Sequence, residues 1–323
     1  MQQIICRQQM QLTCNSVGAS RNKVKTAPPC TRRIAAAKGA PEESCVAAGS
    51  ATSSMPSSDT SFGSCASRRA VLGLALPAAL SLTPARVSAS EFDPTFYSEW
   101  SYVQPSDILP YIIENSTQGD AAAVVAAFDR FGEYYPMYKC GDEKGQILER
   151  LVNEVKPKII LELGSFLGYS AIRCAGRLPP GGRIITIEAK PQNAEVARQT
   201  IARAGFADRV QVISGKLAAD ALPDVSKILN GGSVDMIYLD HFKDCYLPDL
   251  KQMEAQGLLR ENTCVVADNV VYPGAPGFLE YVDSSVGRYK TYLEPAKFEY
   301  DQKWKPDWVP KEDALSVSFF QGN

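Results

Sequence analysis

Five short apolar runs between Lys158 and Asn269 determine what this chain can fold into. In order along the sequence they are KIILELG, GRIITIE, DRVQVIS, VDMIYLD and TCVVADN. Stretches with the apolar spacing of a helix separate the successive runs. Strands that alternate with helices form βαβ units, in which a parallel sheet is covered on both faces. The pattern therefore predicts an α/β domain with helices on both faces of a mostly parallel sheet.

Two further β-rich segments follow, at Tyr289–Leu293 and Leu315–Phe320. Only a linker separates them, so we expect an antiparallel hairpin at the edge of the sheet and seven strands in total. Three helices are predicted before the first strand, at Asp107–Glu114, Asp120–Tyr134 and Asp142–Val155. The apolar residues of the second helix recur at helical spacing, which indicates a face that packs on the core.

The first 89 residues have the composition of a targeting sequence rather than that of a folded domain. They contain ten Lys or Arg against three Asp or Glu, and they are rich in Ser and Ala. A basic, acid-poor segment without sustained apolar periodicity cannot bury a core. We therefore predict that residues 1–66 are a disordered plastid transit peptide.

A second targeting signal is predicted in residues 67–89. The twin arginines Arg68 and Arg69 precede a short apolar stretch that ends in Val-Ser-Ala, a small-residue cleavage pattern. The stretch is shorter than the roughly 20 residues that a membrane helix needs, so we expect no stable membrane insertion. We predict export into the thylakoid lumen of the chloroplast and cleavage after Ala89. The alternatives are a retained anchor helix and plain disorder.

Residues 90–323 form the predicted folded domain, and their charge differs from that of the whole chain. They carry 24 Lys or Arg and 33 Asp or Glu. An acidic domain without basic runs is a poor candidate for binding nucleic acid or an anionic membrane. Its four cysteines lack metal-ligand spacing, so buried thiols are the default expectation, and the sequence does not choose a disulfide pair among them; they are Cys140, Cys174, Cys245 and Cys264.

The turn after the first predicted strand reads LELGSFLGYS, with glycines at Gly164 and Gly168. A dinucleotide site would have the spacing G-x-G-x-x-G there, and this turn has G-x-x-x-G instead. Glu188 ends the next predicted strand, where an acid accepts both hydroxyls of a ribose in nucleoside-binding α/β folds. Glycine turns are common after strands, but together with Glu188 this turn favours an adenosyl ligand.

Polar residues follow the fourth and fifth predicted strands directly. Asp240 ends the fourth, and Asp268 and Asn269 end the fifth. Because the carboxyl ends of parallel strands meet at one edge of a sheet, we expect these three side chains to converge. Carboxylate and amide oxygens suit Mg²⁺, although Asp and Asn also cap helices. Lys243 lies three residues past Asp240, and a lysine beside a divalent cation is a plausible base.

These motifs resemble those of the catechol O-methyltransferase family, over a range from about Asp107 to Gly322. The matching segments include GDEKGQIL, LELGSFLGYSA, YLDHFKDCYLPD, VVADNVVYPGAPGFLEYV and YLE. The most specific of them is LDHxKD followed by ADN. The resemblance implies a Rossmann-like class I methyltransferase, with S-adenosylmethionine and Mg²⁺ as cofactors and a small catechol-type phenol as the methyl acceptor. We expect the protein to act as a monomer.

The resemblance also implies roles for individual residues. The residues implied for the donor are Cys140, Glu162, Gly164, Gly168, Ser170, Glu188, Ala189, Gly215, Asp240 and His241. Those implied for Mg²⁺ are Asp240, Asp268 and Asn269. In this scheme Lys243 deprotonates one catechol oxygen and Glu294 hydrogen-bonds the other. The residues implied for the acceptor are Lys243, Asn269, Pro273 and Glu294.

The chain departs from the family pattern at several points. Phe242 stands where the family has a tryptophan beside the histidine, and the loop SGKLAAD lacks the serine and glutamine that the family uses near the adenine. An insert rich in aromatic and charged residues follows Glu294 and carries Trp304 and Trp308. This insert permits a role as a lid over the pocket, as a surface for a partner, or in packing alone.

Two alternatives to a catechol-methylating enzyme stay open at the level of the sequence. The first is a related Mg²⁺-dependent methyltransferase that acts on a caffeoyl-type ester. The second is a lumenal binding or assembly protein that keeps the fold without the activity, since the methyl donor would have to cross the thylakoid membrane. The intact acid, base and metal set argues against the second alternative.

Overall fold

The structure is a computed structural model that describes residues 105–134, 137–284, 287–299 and 310–322. The predicted targeting segments, the cleavage position at Ala89 and the tryptophans Trp304 and Trp308 lie outside these ranges. Among the described residues, no helix combines the length and the apolar character that a membrane span requires.

A seven-stranded mixed sheet forms the centre of the fold, in the order β3-β2-β1-β4-β5-β7-β6. Its strands are β1 (Ile159–Leu163), β2 (Arg183–Glu188), β3 (Val210–Ser214), β4 (Val234–Leu239), β5 (Leu259–Ala267), β6 (Tyr289–Lys297) and β7 (Glu312–Phe320). The first five strands are parallel, whereas β7 is antiparallel to both β5 and β6. The predicted sheet and its edge hairpin are confirmed, and both strands of the hairpin are longer than the sequence indicated.

Eight helices surround the sheet in the described residues. They are α1 (Pro105–Asn115), α2 (Ala121–Tyr134), α3 (Gly141–Val155), α4 (Tyr169–Ala175), α5 (Pro191–Arg203), α6 (Ala218–Ile228), α7 (Tyr246–Ala255) and α8 (Pro276–Ser284). The three helices predicted before β1 correspond to α1, α2 and α3, with bounds that differ by at most two residues. Asp142 and Glu143 lie in the first turn of α3, where the helix dipole favours acids.

Two apolar layers hold the helices on the sheet. Because successive strand side chains point to opposite faces, Ile160 of β1 packs with α1 to α5, whereas Leu161 and Leu163 pack with α6 to α8. All three side chains are buried. This alternation explains why the sequence shows continuous apolar runs, since each strand is covered on both faces.

The order of the strands brings the functional residues to one edge of the sheet. The register pairs Leu239 of β4 with Ala267 of β5, so the residues that follow them are neighbours. The backbone N–H of Asp240 donates to Leu163, and that of Asp268 donates to Leu239. The ends of β1, β4 and β5 are therefore joined side by side, which is where ligands bind in open parallel sheets.

Candidate active site

Two carboxylates lie at the ends of the adjacent strands β4 and β5. The hydroxyl of Tyr238 lies 3.3 Å from Asp240 Oδ2 and 3.1 Å from Asp268 Oδ2, and it connects the two acids. Burial raises the pKa of Asp240 to about 7; the ammonium of Lys243 opposes this shift and Asp268 adds to it. A shared site for two acids at this edge of the sheet matches the arrangement that the sequence indicated.

Asn269 follows Asp268 in the left-handed region, with φ 55° and ψ 39°, which Asn adopts more readily than most residues. Its side-chain nitrogen donates to Glu299 Oε1 at 3.0 Å and to Asp313 Oδ2 at 2.8 Å. These acceptors occupy the amide hydrogens, so the carbonyl oxygen of Asn269 is the atom left for a ligand. Two carboxylates and one amide oxygen form a donor set that fits Mg²⁺.

A buried cation lies behind this acidic edge. Lys144 of α3 is fully buried, and its Nζ lies 2.7 Å from Asp268, 2.6 Å from Glu299 and 2.7 Å from Asp313. Burial alone would lower the pKa of Lys144, but the three carboxylates outweigh it and raise the pKa above its usual value. Lys144 therefore stays charged and balances part of the negative charge at the strand ends.

Lys243 reaches the same edge from the short 3₁₀ turn after β4. Its Nζ lies 3.1 Å from Asp240 Oδ1 and donates to the hydroxyl of Tyr246 at 2.7 Å. The Tyr246 hydroxyl, which is buried, also lies 2.7 Å from the carbonyl of Leu239 and 3.1 Å from that of Asp268. Tyr246 thus ties the amine of Lys243 to the ends of both strands, and the predicted base lies beside a predicted metal ligand.

The structure corrects the predicted placement of Glu294. Its carboxylate forms an ion pair with Arg150 of α3 at 2.7 Å. In the hairpin Glu294 is paired with Leu315, two positions along β7 from Asp313. Because each strand residue advances about 3.3 Å, Glu294 lies about 7 Å along the hairpin from the position opposite Asp313. Glu299, five residues later, contacts both Asn269 and Lys144.

Three residues of this cluster escaped the sequence analysis as site residues: Lys144, Glu299 and Asp313. Lys144 lies in the segment GDEKGQIL, which contributed to the family resemblance but carried no predicted role. Glu299 and Asp313 lie within the insert that follows Glu294, and no local pattern distinguishes them from its other charged residues. Pro273 is half-buried and lies in the irregular turn Val270–Gly274, which directly follows Asn269.

A second group of polar residues lies at the ends of β1 and β2. Glu162 of β1 accepts hydrogen bonds from Ser170 at 2.6 Å and from Thr186 of β2. Burial raises the pKa of Glu162 to about 7, although these two hydrogen bonds oppose the shift. Cys140, also buried, precedes α3. Burial raises the pKa of its thiol well above the usual value, so the Cys140 thiol is neutral.

Glu188, predicted to hold a ribose, ends β2 beside the glycine turn. Its carboxylate accepts the backbone N–H of Phe166 at 2.9 Å and that of Lys190 at 2.9 Å. Burial raises its pKa, and these hydrogen bonds oppose the increase. The backbone N–H of Gly215 donates to the carbonyl of Glu188, and Ala189 follows directly. Three residues that the resemblance assigns to the methyl donor are therefore neighbours: Glu188, Ala189 and Gly215.

The two glycines of the turn are required by contacts within the protein. Both have positive φ, 100° at Gly164 and 91° at Gly168. A Cβ at Gly164 would lie 2.3 Å from the backbone oxygen of Asp240, and one at Gly168 would lie 3.1 Å from the side chains of Thr200 and Ile201. Glycine here permits close packing of β1 on β4 and on α5, in addition to any approach of a ligand.

Two buried polar atoms near this turn lack a hydrogen-bond partner among the described residues. They are Oγ of Ser165 and Nδ1 of His241. The other ring nitrogen of His241 lies 2.8 Å from Asp249. Buried polar atoms without partners are rare in folded proteins, and a bound ligand or an ordered water commonly satisfies them. Their positions next to Gly164 fit a polar cofactor at the ends of β1 and β4.

Comparison with known proteins identifies the family. A family model described as O-methyltransferase matches residues 126–294. Catechol O-methyltransferase B of Danio rerio is 41% identical over 220 residues, which cover 68% of this chain and 80% of that protein. The chain belongs to the catechol O-methyltransferase family. Catechol O-methyltransferase of Bos taurus is 42% identical over 59% of this chain and 71% of its own length.

Solved structures of O-methyltransferases share the fold of this methyltransferase. An O-methyltransferase from Bacillus cereus in complex with SAH is 25% identical, with a TM-score of 0.50 over 70% of this chain and 96% of that one. The O-methyltransferase TomG from Streptomyces achromogenes, in complex with SAM, is 26% identical, with a TM-score of 0.50 over 67% and 96% of the two chains. The protein is therefore an S-adenosylmethionine-dependent O-methyltransferase with the class I fold, and the unpartnered atoms near Gly164 fit this cofactor.

Proposed function

We propose that this methyltransferase transfers the methyl group of S-adenosylmethionine to one hydroxyl of a catechol-type phenol in a Mg²⁺-dependent reaction. The observation that carries the proposal is the convergence of Asp240, Asp268 and the oriented amide of Asn269, with the amine of Lys243 3.1 Å from Asp240. The relatives named catechol O-methyltransferase support the choice of acceptor.

Asp240, Asp268 and Asn269 would hold the metal ion. When bound, Mg²⁺ would supply positive charge that lowers the pKa of an acceptor hydroxyl. Lys243, in its neutral form, takes the proton of the reacting hydroxyl. The bound donor would supply the methyl group from its sulfonium to the acceptor oxygen, and a neutral thioether would be the leaving group.

The other residues of the site orient the reactants. Tyr246 holds the Lys243 amine at the strand ends, and we assign to Glu299, in place of Glu294, the hydrogen bond with the second hydroxyl of the acceptor. Glu188 would accept the ribose hydroxyls of the donor. Positioning of this kind supplies much of the rate enhancement for a methyl transfer, because no covalent intermediate with the protein is required.

The choice of acceptor is tested by offering the purified full-length chain labelled S-adenosylmethionine with three compounds. They are a catechol, a caffeoyl ester and a monohydric phenol of similar size. The proposal predicts methylation of the catechol at a kcat/KM at least tenfold above that of the phenol, which lacks the second oxygen. A preference for the caffeoyl ester would favour the related ester-methylating enzyme. Methylation of the phenol at an equal rate would contradict an acceptor with two adjacent oxygens.

We also propose that residues 1–66 and 67–89 direct the chain to the chloroplast and then to the thylakoid lumen. The composition of the first 89 residues and the pair Arg68 and Arg69 support this address. Sequencing the N-terminus of the mature protein from fractionated organelles tests it, with Ser90 expected as the first residue. Replacement of both arginines by lysine is expected to hold the protein in the stroma.

A further inference from the structure

Asp313 of β7 contacts two parts of the segment that follows β5: the side chain of Asn269 and the backbone at Val271 and Tyr272. Its side chain is fully buried, and Oδ2 accepts hydrogen bonds from Lys144 at 2.7 Å and from the amide of Asn269 at 2.8 Å. Its Oδ1 accepts the backbone N–H groups of Val271 at 3.2 Å and Tyr272 at 2.9 Å. One carboxylate therefore fixes both the side chain of Asn269 and the backbone that leads to Pro273.

The contact with Asn269 determines which end of its amide is available. A carboxylate only accepts hydrogen bonds, so the NH₂ group of Asn269 must face Asp313 and the carbonyl oxygen must point elsewhere. A rotation of the amide by 180° would place its oxygen against two carboxylates, Asp313 and Glu299. The negative charge of Asp313 thus selects the orientation in which Asn269 offers oxygen to a metal.

We propose that Asp313 is a positioning residue for the metal site. It orients Asn269 and anchors the turn that borders the acceptor, and it does not touch the reacting atoms. The inference rests on the proposed Mg²⁺ site. Residues that orient metal ligands in this way commonly change metal affinity by 10–100-fold when replaced.

The substitution Asp313→Asn tests this arrangement at nearly constant volume. An asparagine at this position has one acceptor end and one donor end. If its oxygen accepts the backbone N–H groups of Val271 and Tyr272, its NH₂ group faces the N–H donors of Asn269 and Lys144. If its oxygen accepts hydrogen bonds from Asn269 and Lys144, the NH₂ group faces the two backbone N–H groups.

Asp235 provides a matched control elsewhere in the same sheet. It also accepts two backbone N–H groups, from Lys158 at 2.7 Å and Ile159 at 2.9 Å, and it pairs with the cation Arg260. It lies five residues before Asp240 on β4, about 16 Å away along the strand. Asp235→Asn therefore replaces a carboxylate that accepts two backbone N–H groups and pairs with a cation, as Asp313→Asn does, but at the opposite end of β4.

The experiment measures Mn²⁺ binding to the full-length chain from the electron paramagnetic resonance signal of free Mn²⁺. Wild type, Asp313→Asn and Asp235→Asn are titrated, and donor binding is measured by calorimetry as a test of folding. We expect Asp313→Asn to bind Mn²⁺ 10–100-fold more weakly. Asp235→Asn should match wild type within about twofold, as should the donor affinities of both variants.

Each outcome bears on a separate claim. Equal Mn²⁺ affinity in wild type and Asp313→Asn overturns the positioning role while leaving the metal site in place. A wild type that binds no Mn²⁺ overturns the metal site itself, and the positioning role with it. If Asp313→Asn no longer binds the donor, Asp313→Glu decides the question, because it keeps the charge but moves the oxygens by one methylene. Weakened Mn²⁺ binding in that variant supports positioning, and wild-type binding overturns it.

Discussion

Lys144 Nζ lies 2.7 Å from Oδ1 of Asp268, and neither side chain is exposed to solvent. The same ammonium group contacts two further carboxylates, those of Glu299 and Asp313. Asp268, a predicted metal ligand, is thus paired with the buried ammonium group of Lys144. The arrangement allows acids to cluster at a buried strand end, where they would otherwise repel one another.

Replacement of Lys144 by methionine is expected to destabilise the fold. The change removes the cation and leaves buried carboxylates without compensation, a loss that typically costs about 3–5 kcal/mol. Urea unfolding of wild type and Lys144→Met measures the difference. Lys227→Met, at an exposed ion pair with Asp224, is the control and should lose far less. Equal stability of the two variants would show that the Lys144 cluster carries little of the folding free energy.

Replacement of Glu299 by glutamine should raise the KM for the acceptor by about tenfold, the equivalent of one charge-assisted hydrogen bond. The matched change Glu294→Gln removes the ion pair with Arg150 and should leave KM unchanged. Steady-state kinetics on both variants separates the two carboxylates. A raised KM in Glu294→Gln alone would restore the assignment made from the sequence.

Replacement of Lys243 by methionine should lower kcat by about 10²–10⁴-fold, the range for loss of a general base, with a smaller effect on the KM for the acceptor. Lys251→Met is the control, since this lysine lies over the ring of Tyr281 on the outer face of α7. A change confined to KM would count against Lys243 as the base and leave it a binding residue.

Glu162 should make the stability of the fold depend on pH. Its pKa rises from an ordinary 4.5 to about 7 in the folded state, so the folded protein binds the proton more tightly. The stabilisation is complete below about pH 4.5 and is lost as pH rises through about 7, with a total of roughly 3 kcal/mol. The difference in unfolding free energy between wild type and Glu162→Gln, measured from pH 4 to 8, isolates this residue. A difference that does not change with pH would contradict the raised pKa.

Much of the fold follows from local patterns in the sequence. The apolar runs of β1 to β5 are continuous because both faces of each strand are buried, and this distinguishes them from amphipathic strands. Asp240 was identifiable because it directly follows such a run, and so was the adjacent pair of Asp268 and Asn269. A parallel sheet places all of these strand ends at one edge, so the topology alone predicted that the three would meet.

The edge hairpin shows where the sequence alone was insufficient. The segment YLE matched the family at Glu294, but which carboxylate reaches the site depends on the register and length of the hairpin. Strand β6 continues to Lys297, and the residue after Phe298 supplies the acid. Lys144 escaped notice for a related reason, since an isolated lysine on a helix normally indicates a solvated surface. Its burial depends on three acids that are distant in sequence.

The most direct test of the central claim is methyl transfer from labelled S-adenosylmethionine to catechol by the full-length chain, with Mg²⁺ or with a chelator. Wild type is compared with Asp240→Asn and with the control Asp244→Asn, which alters an exposed acid in the same motif. The account predicts Mg²⁺-dependent activity in wild type and in Asp244→Asn, and a loss of at least 100-fold in Asp240→Asn. Undiminished activity in the chelator, or in Asp240→Asn with Mg²⁺, would contradict a metal site at the strand ends.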